Sequence, residues 1–302
     1  MPSLKEIRGR IGSIRNISQI TRAMEMVAAS RMKRAQDAIL AARPYSDELR
    51  EALTRVVAAV GEEVDPLLAR RPVRRLGLIM VTTDRGLAGS LNANAVRAVL
   101  RWVGERGAAG SSSGNGDGDG RMELAAITVG RKGRDALRRT GIPIAAHFAQ
   151  LGDRPTFADV TPIARLVTED YLAGTYDEIA VAYSTFVTTL TQRPEISVIL
   201  PVQRPEELGD DEAARTDEYL FEPSPEAVLS RLLPHYVAID LYRAVLENNA
   251  SEQSARMIAM RNATDNANEL IEDLTLVLNK TRQSTITREM IEIASGAEAL
   301  SG

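Results

Sequence analysis

The residues whose spacing could bind a nucleotide form the run DRGLAGSLN (residues 84–92), between a predicted strand and a predicted helix. A glycine-rich turn in that place often holds phosphate on the amides of the following helix. Here Gly86 and Gly89 are three residues apart and no lysine follows, so neither common phosphate-binding pattern is present. A tight turn before a helix capped by Ser90 explains the glycines without a ligand.

Other residue types that catalyse reactions or bind metals are scarce. The chain has no cysteine, which excludes disulfides, thiolate metal sites and cysteine nucleophiles. His147 and His235 are its two histidines, too few for a histidine-rich metal site, and His147 at the end of an apolar strand fits a half-buried structural residue. The basic run GRKGR (residues 130–134) fits a turn and a solvated first helical turn. The sequence therefore predicts no catalytic, cofactor-binding or metal-binding residues.

Composition and charge are typical of a globular protein. The 302 residues are 44% hydrophobic and carry a formal net charge of -4. Basic residues concentrate in residues 1–34 and carboxylates in residues 205–222. The basic stretch has no aromatic platform for bases, which disfavours a nucleic-acid partner. No run of about 18 apolar residues occurs and no signal peptide is apparent, so we expect only peripheral membrane contact.

The longest predicted element is a C-terminal helix, uninterrupted from about residue 235 to 300. The sequence has no glycine between Asp210 and Ser295 and no proline after Pro234, and we expect Pro234 itself to kink or interrupt the helix that Ser224 and Pro225 begin. Residues at alternating steps of three and four predict a coiled-coil seam. These residues are Met257, Met260, Thr264, Ala267, Ile271, Leu274, Leu278 and Thr281.

Residues 3 to about 59 form the predicted partner helix. Its apolar stripe keeps the heptad spacing up to Ile14 and continues after one extra step of three, a stammer that would locally overwind the supercoil. Two such helices at opposite ends of the chain predict an antiparallel pair. The predicted stripe consists of Leu4, Ile7, Ile11, Ile14, Ile17, Ile20, Met24 and Val27.

Between the terminal helices, the sequence alternates predicted strands (76–81, 123–129, 142–148, 178–187, 196–200) with predicted helices (92–106, 131–140, 160–173). The short turn before the last strand predicts an antiparallel hairpin at the sheet edge. The predicted fold class is α/β: a long antiparallel coiled coil of the N- and C-terminal helices with an inserted Rossmann-like open α/β domain. The predicted domains are residues 1–60, 73–202 with a flexible Gly/Ser/Asp-rich loop at 107–120, an acidic linker at 203–223, and a C-terminal coiled-coil helix at 224–302.

Two terminal motifs carry a family resemblance. ITRAMEMVAAS (residues 20–30) and ITREMIEIASGA (residues 286–297) resemble the terminal motifs of the gamma subunit of F-type ATP synthase. The runs DRGLAGSLNAN (84–94), YLFEP (219–223) and ASEQSARMIAMRNATDN (250–266) fit the same family. The loop at 107–120 looks like an insertion relative to the common family pattern.

The resemblance implies a rotor shaft without a catalytic site. Its coiled coil would turn inside a ring of three alpha and three beta subunits, with the α/β domain against the epsilon subunit and the membrane c-subunit ring. Proton-driven rotation would then change the nucleotide affinity of the beta sites. The implied location is peripheral, on the cytoplasmic face of a bacterial membrane, without cofactor, nucleic acid or homo-oligomerisation.

The same resemblance implies contacts with the surrounding ring. Met24 would meet an acidic lever of a beta subunit, and four residues near the C-terminus would bond catch loops: Arg282, Gln283, Thr287 and Glu289. Three cations suit an acidic stator surface: Arg22, Arg31 and Lys33. Without the resemblance, solvent-facing coiled-coil positions would explain all of them. Alternative functions are a nucleotide-binding enzyme built on the α/β domain and a non-rotary coiled-coil adaptor, bound to lipid through the basic N-terminal helix.

Overall fold

The structure, a computed structural model, describes residues 3–61, 65–111, 122–203 and 221–301. The chain forms two compact units, which we call unit 1 (residues 1–28 and 256–302) and unit 2 (residues 29–255). Both terminal helices contribute residues to both units. Most of the predicted acidic linker and of the predicted loop at 107–120 lies outside the described residues.

Ten elements make up the described chain. In order they are α1 (Leu4–Val60), β1 (Arg75–Val81), α2 (Leu91–Ser111), β2 (Glu123–Val129), α3 (Arg131–Thr140), β3 (Ile144–Phe148), α4 (Phe157–Leu172), β4 (Glu178–Phe186), β5 (Gln192–Leu200) and α5 (Pro225–Ser301). The predicted order of elements and the α/β fold class are confirmed.

Local hydrogen bonds set the helix starts. The amide of Glu6 donates to Ser3 Oγ (3.2 Å) and the Ser3 amide donates to Glu6 Oε2 (3.0 Å), a reciprocal cap at the start of α1. The predicted cap of α5 is confirmed, because the amide of Ala227 donates to Ser224 Oγ (3.3 Å). A similar reciprocal cap by Thr156 starts α4 at Phe157, three residues before its predicted start.

Two predicted helix limits are wrong. The interruption expected at Pro234 does not occur, because α5 runs through that residue as one helix. Its neighbours Leu233 and Val237 are buried in the core of unit 2, and this burial offsets the hydrogen bond that a proline cannot donate. The helix α2 continues to Ser111, so its last residues occupy the start of the predicted loop at 107–120.

Unit 2 is built on one five-stranded sheet with the order β3-β2-β1-β4-β5. Strands β1 to β4 are parallel and β5 pairs antiparallel with β4, as expected for a Rossmann-like sheet with a hairpin at its edge. One face packs against α4 and parts of α1 and α5 in the main core, through residues such as Ile79, Leu53 and Leu241. The other face packs against α2 and α3, through residues such as Leu78, Val99 and Leu137.

Candidate functional site

The turn that resembles a phosphate-binding loop holds a carboxylate that is already hydrogen-bonded. Asp84 accepts a hydrogen bond from the amide of Arg131 (3.1 Å) at the start of α3, and another from the amide of Gln150 (2.8 Å). A polar cavity of about 390 Å³ lies beside it, at the carboxyl ends of β1 and β2. A phosphate bound at this end of α3 would be repelled by the Asp84 carboxylate.

The next amides of α3 are also occupied. The amide of Lys132 donates to the Thr83 carbonyl (3.0 Å), and that of Gly133 donates to Thr82 Oγ1 (2.8 Å). A Cβ atom on Gly130 would lie 2.2 Å from the Thr82 carbonyl oxygen, so glycine is required there for close packing. Internal packing thus explains Gly130 and the occupied amides of α3, which disfavours a phosphate at the start of α3.

Unit 1 is an antiparallel pair of helices, formed by the start of α1 and the end of α5. Three polar contacts cross the pair, and residue numbers rise along α1 as they fall along α5. The contacts join Ser18 with Asn268 (2.9 Å), Thr21 with Thr264 (2.6 Å) and Glu25 with Arg261 (2.9 Å). They establish both the direction and the register of the predicted coiled coil.

The predicted seam of α5 is confirmed. From Thr264 to Thr285, the buried or half-buried positions follow alternating steps of three and four, while the intervening residues are exposed. The protected positions are Thr264, Ala267, Ile271, Leu274, Leu278, Thr281 and Thr285.

The predicted stammer in α1 is wrong. After Ile14 the protected positions continue in step at Ser18, Thr21 and Ala28, whereas three residues of the predicted stripe are exposed. Those three are Ile17, Ile20 and Val27, with 52%, 59% and 51% of their surface accessible. The seam is instead occupied by small and hydroxyl side chains, and among them Thr21 forms the hydroxyl contact with Thr264 across the pair. The displaced apolar residues, with half-buried Met24, form what we call the α1 ridge.

Among the described residues of unit 1, none forms a partner helix for the end of α5. Extending the register of Thr21 and Thr264 places Thr281 opposite Leu4, so residues beyond Thr285 pass the start of α1. All side chains described from Ile286 to Ala297 are exposed. Ile286, Met290 and Ile293 among them form an apolar stripe at helical spacing.

Most of the predicted ring contacts lie on exposed surface of unit 1. Arg22, Arg282, Gln283, Thr287 and Glu289 are exposed. The Thr287 hydroxyl donates to the carbonyl of Gln283 (2.9 Å), an internal helix contact. These residues are accessible to a partner, and their role stays a prediction.

The other two predicted cations belong to unit 2 and already have partners. Arg31 forms an ion pair with Asp153 (2.9 Å), in the segment between β3 and α4, and Lys33 pairs with Asp37 one turn further along α1 (2.9 Å). The Arg31 pair joins the N-terminal helix to the α/β domain inside unit 2. Arg31 is therefore a weaker candidate than Arg22 for a contact with another subunit.

Both histidines make structural contacts. His147 Nδ1 lies 3.0 Å from Thr128 Oγ1, and half-buried His147 fits its predicted structural role. His235 Nε2 lies 2.6 Å from the Tyr45 hydroxyl, with its ring edge-to-face against Phe157. No group of histidine and carboxylate side chains within the described ranges has the geometry to hold a metal ion.

A buried polar junction between α5 and the sheet in unit 2 was not predicted from the sequence. The hydroxyls of Ser251 and Ser254 donate to the carbonyls of Ser184 (2.8 Å) and Thr189 (2.6 Å), at and just after β4. The side-chain amide of Asn249 donates to the backbone carbonyl of Asp153 (3.2 Å). The sequence did contain a signal for this junction, the run NNASEQS (residues 248–254). This run puts polar residues on every face of the helix, although a helix packed on a domain buries one of its faces.

Within the ranges that the structure describes, no helix combines the length and the apolarity needed to cross a bilayer.

Comparison with known sequences gives matches over nearly the whole chain. A family model described as ATP synthase matches residues 3–300. The ATP synthase gamma chain of Roseiflexus castenholzii is 49% identical over 302 residues, with 99% of each chain covered. That of Dehalococcoides mccartyi is 45% identical over 302 residues, covering 99% of this chain and all of the relative.

Solved structures share the fold at lower identity. The central stalk and c-ring structure of the Tetrahymena thermophila mitochondrial ATP synthase contains a chain with 24% identity and a TM-score of 0.58, covering 81% of this chain and 99% of that one. The rotor of the Euglena gracilis mitochondrial ATP synthase contains a chain with 19% identity and a TM-score of 0.62, covering 94% and 98%.

Proposed function

Because the chain belongs to the ATP synthase gamma-chain family, we propose that it is the central rotor shaft of the catalytic head. Its partners are three alpha and three beta subunits, the epsilon subunit and the membrane c-subunit ring. It has no catalytic site of its own and binds peripherally at the cytoplasmic face of a bacterial membrane. Rotation driven by protons changes the contacts that it offers to each beta subunit.

The observation that carries this proposal is the lopsided surface of unit 1. On α1, the exposed side chains include Arg8, Arg15 and Arg22, spaced seven residues apart, as well as the apolar α1 ridge. On α5, residues 262–279 contain four carboxylates and no Lys or Arg. A shaft can shift a binding equilibrium only by contacting the alternative states differently, and unlike faces provide that difference.

The predicted ring contacts complete the proposal. Met24 belongs to the α1 ridge, while Arg282, Gln283, Thr287 and Glu289 lie just before and within the unpartnered end of α5. Arg22 adds an exposed cation on α1. Arg31 and Lys33 contribute at most weakly, because their charges are compensated within unit 2.

The test is reconstitution of the full chain with alpha and beta subunits, with a bead attached to unit 2. We expect ATP hydrolysis to turn the bead in three steps per revolution, one for each beta subunit. An active complex with a stationary bead would overturn the rotor proposal. Calorimetry on the full chain with ATP tests the absence of a nucleotide site, and saturable binding would revive the enzyme alternative.

A further inference from the structure

The outer face of α2 and α3 carries a concentration of positive charge that the rotor role does not use. The two helices contain eight Arg or Lys residues and two carboxylates, Glu105 and Asp135, a net charge of +6 in a chain whose total is -4. Both helices pack on the same side of the sheet. We call their outer surface the basic face. Its cations are Arg97, Arg101, Arg106, Arg131, Lys132, Arg134, Arg138 and Arg139.

Most of these cations form no ion pair inside the chain as far as it is described. Arg106 pairs with Glu178, and Arg134 pairs with Asp135 (2.8 Å). Within the described part of the chain, no ion pair engages the other six, and all six are exposed: Arg97, Arg101, Arg131, Lys132, Arg138 and Arg139.

Helix stability does not explain the charges either. Arg131, Lys132 and Arg134 lie in the first turn of α3, which has no acidic residue. The amide ends of helices carry partial positive charge, so cations there oppose the helix dipole and acidic residues are favoured. Arg134 is paired with Asp135, and the Asp84 carboxylate caps the Arg131 amide from outside the helix. The exposed side chains of Arg131 and Lys132 form no ion pair within the described residues, and they point to a ligand outside the chain.

We propose that the basic face is an electrostatic docking surface for the headgroups of an anionic bilayer. A helix pair anchored on a sheet holds its charges in a broad layer, and each Lys or Arg near an anionic leaflet contributes about 1 kcal/mol of binding. Leu100 is the only large apolar side chain described as exposed on these helices. A protein interface usually has an apolar core, whereas attraction to a fluid charged surface needs none.

That the basic face meets a membrane at all rests on the proposed function, because attachment to a membrane ring would bring unit 2 near the headgroups. The binding itself depends only on the charges of the face. The two proposals can therefore fail separately, since one is measured on vesicles and the other by rotation.

The experiment is co-sedimentation of the full chain with vesicles of phosphatidylglycerol and phosphatidylcholine, compared with phosphatidylcholine alone. We expect binding only to the anionic vesicles, weakening as salt rises. The triple variant Lys132→Gln, Arg138→Gln, Arg139→Gln should bind about 100-fold more weakly, from about 1 kcal/mol for each removed cation. Circular dichroism should show unchanged folding, because all three side chains are exposed.

The matched control is the triple variant Arg8→Gln, Arg10→Gln, Arg15→Gln, which removes the same charge from exposed positions of α1. It should bind anionic vesicles nearly as well as the unchanged chain. Weaker binding of this control than of the α3 variant would overturn the proposal in favour of the N-terminal helix. Absence of binding to anionic vesicles would also overturn the proposal. So would an α3 variant that still binds vesicles but no longer assembles with the other subunits, because that result would assign the face to a protein partner.

Discussion

At the scale of single residues, a few polar side chains hold the parts of unit 2 together. Asp177 precedes β4 and is 7% exposed, and it ties that strand to the start of β1. Its carboxylate accepts hydrogen bonds from the amides of Arg74 (3.0 Å) and Arg75 (2.8 Å) and from the Arg75 guanidinium (3.1 Å). Burial raises the pKa of Asp177, but these hydrogen bonds outweigh it and lower the pKa below its ordinary value.

This lowered pKa gives Asp177 a pH-dependent role in stability. A carboxyl whose pKa is lower in the folded chain stabilises it above the unfolded pKa of about 3.9, and that stabilisation disappears as pH falls through the folded pKa. We expect Asp177→Asn to lower the free energy of unfolding by about 1–3 kcal/mol at pH 7, as for other hydrogen bonds to charged groups.

Urea unfolding of both proteins at several pH values measures the effect. The difference between them should begin to shrink below about pH 4, where Asp177 of the unfolded chain takes up a proton, and should disappear as pH falls through the lower pKa of the folded chain. The control is Asp37→Asn, which removes an exposed carboxylate paired only on the helix surface and should change little. A difference that stays constant down to pH 2 would show that the charge of Asp177 does not matter.

At the scale of elements, the lesson comes from the two helices of the coiled coil. The seam of α5 could be predicted because its apolar residues and its partner-facing positions coincide, as at Ile271, Leu274 and Leu278. On α1 they diverge, because Ser18 and Thr21 face the partner while Ile17 and Ile20 face outward. Hydrophobic periodicity detects an apolar stripe, but it does not reveal whether that stripe packs within the chain or against another one.

The partners of the polar junction and the limits of the helices could not be predicted from the sequence for a related reason. The hydroxyl of Ser251 finds its acceptor on β4, 67 residues away in sequence. Pro234 is tolerated in α5 because tertiary packing on both sides outweighs its local preference. Local propensity describes neither effect, whereas the Rossmann-like open sheet and its antiparallel edge followed from the alternation of elements and the short last turn.

The corrected register of α1 predicts that isoleucines of the same helix contribute differently to stability. Ile11 is 9% exposed in the seam, so Ile11→Gln should destabilise unit 1 by roughly 2 kcal/mol or more by burying a polar group. The double variant Ile17→Gln, Ile20→Gln lies on the exposed α1 ridge and should leave stability within about 0.5 kcal/mol. Thermal unfolding followed by circular dichroism compares the two variants.

The same variants test the α1 ridge as a contact with the ring. In the reconstituted complex, the ridge variant should hydrolyse ATP with lower coupling to rotation, although its fold is unchanged. If Ile17→Gln, Ile20→Gln unfolds as easily as Ile11→Gln, the heptad register drawn from the hydroxyl contact is wrong. If coupling is unaffected, the ridge does not face a beta subunit.

At the scale of the whole molecule, charge is distributed unevenly. The outer face of α2 and α3 carries +6, so the remainder of the chain must be strongly acidic to reach a total of -4. In unit 1 the difference recurs between a basic α1 and an acidic stretch of α5. A protein that only needed to remain folded would gain nothing from this separation, whereas one that must present different surfaces to different partners requires it.

The last prediction concerns the unpartnered end of α5. Deleting residues 287–302 should leave thermal unfolding unchanged, because every side chain described in that segment is exposed and none packs within unit 1. The truncated chain should still assemble with alpha and beta subunits, since the paired helices remain, but it should make less ATP for a given proton gradient.

The full-length variant Met290→Gln, Ile293→Gln serves as the control, because it removes the apolar stripe without shortening the helix. A fall in coupling in both proteins would assign the effect to the stripe, and a fall in the truncation alone would assign it to length. Unchanged coupling in both would mean that the end of α5 takes no part in transmitting rotation, and a lowered unfolding temperature after truncation would refute the register on which its isolation rests.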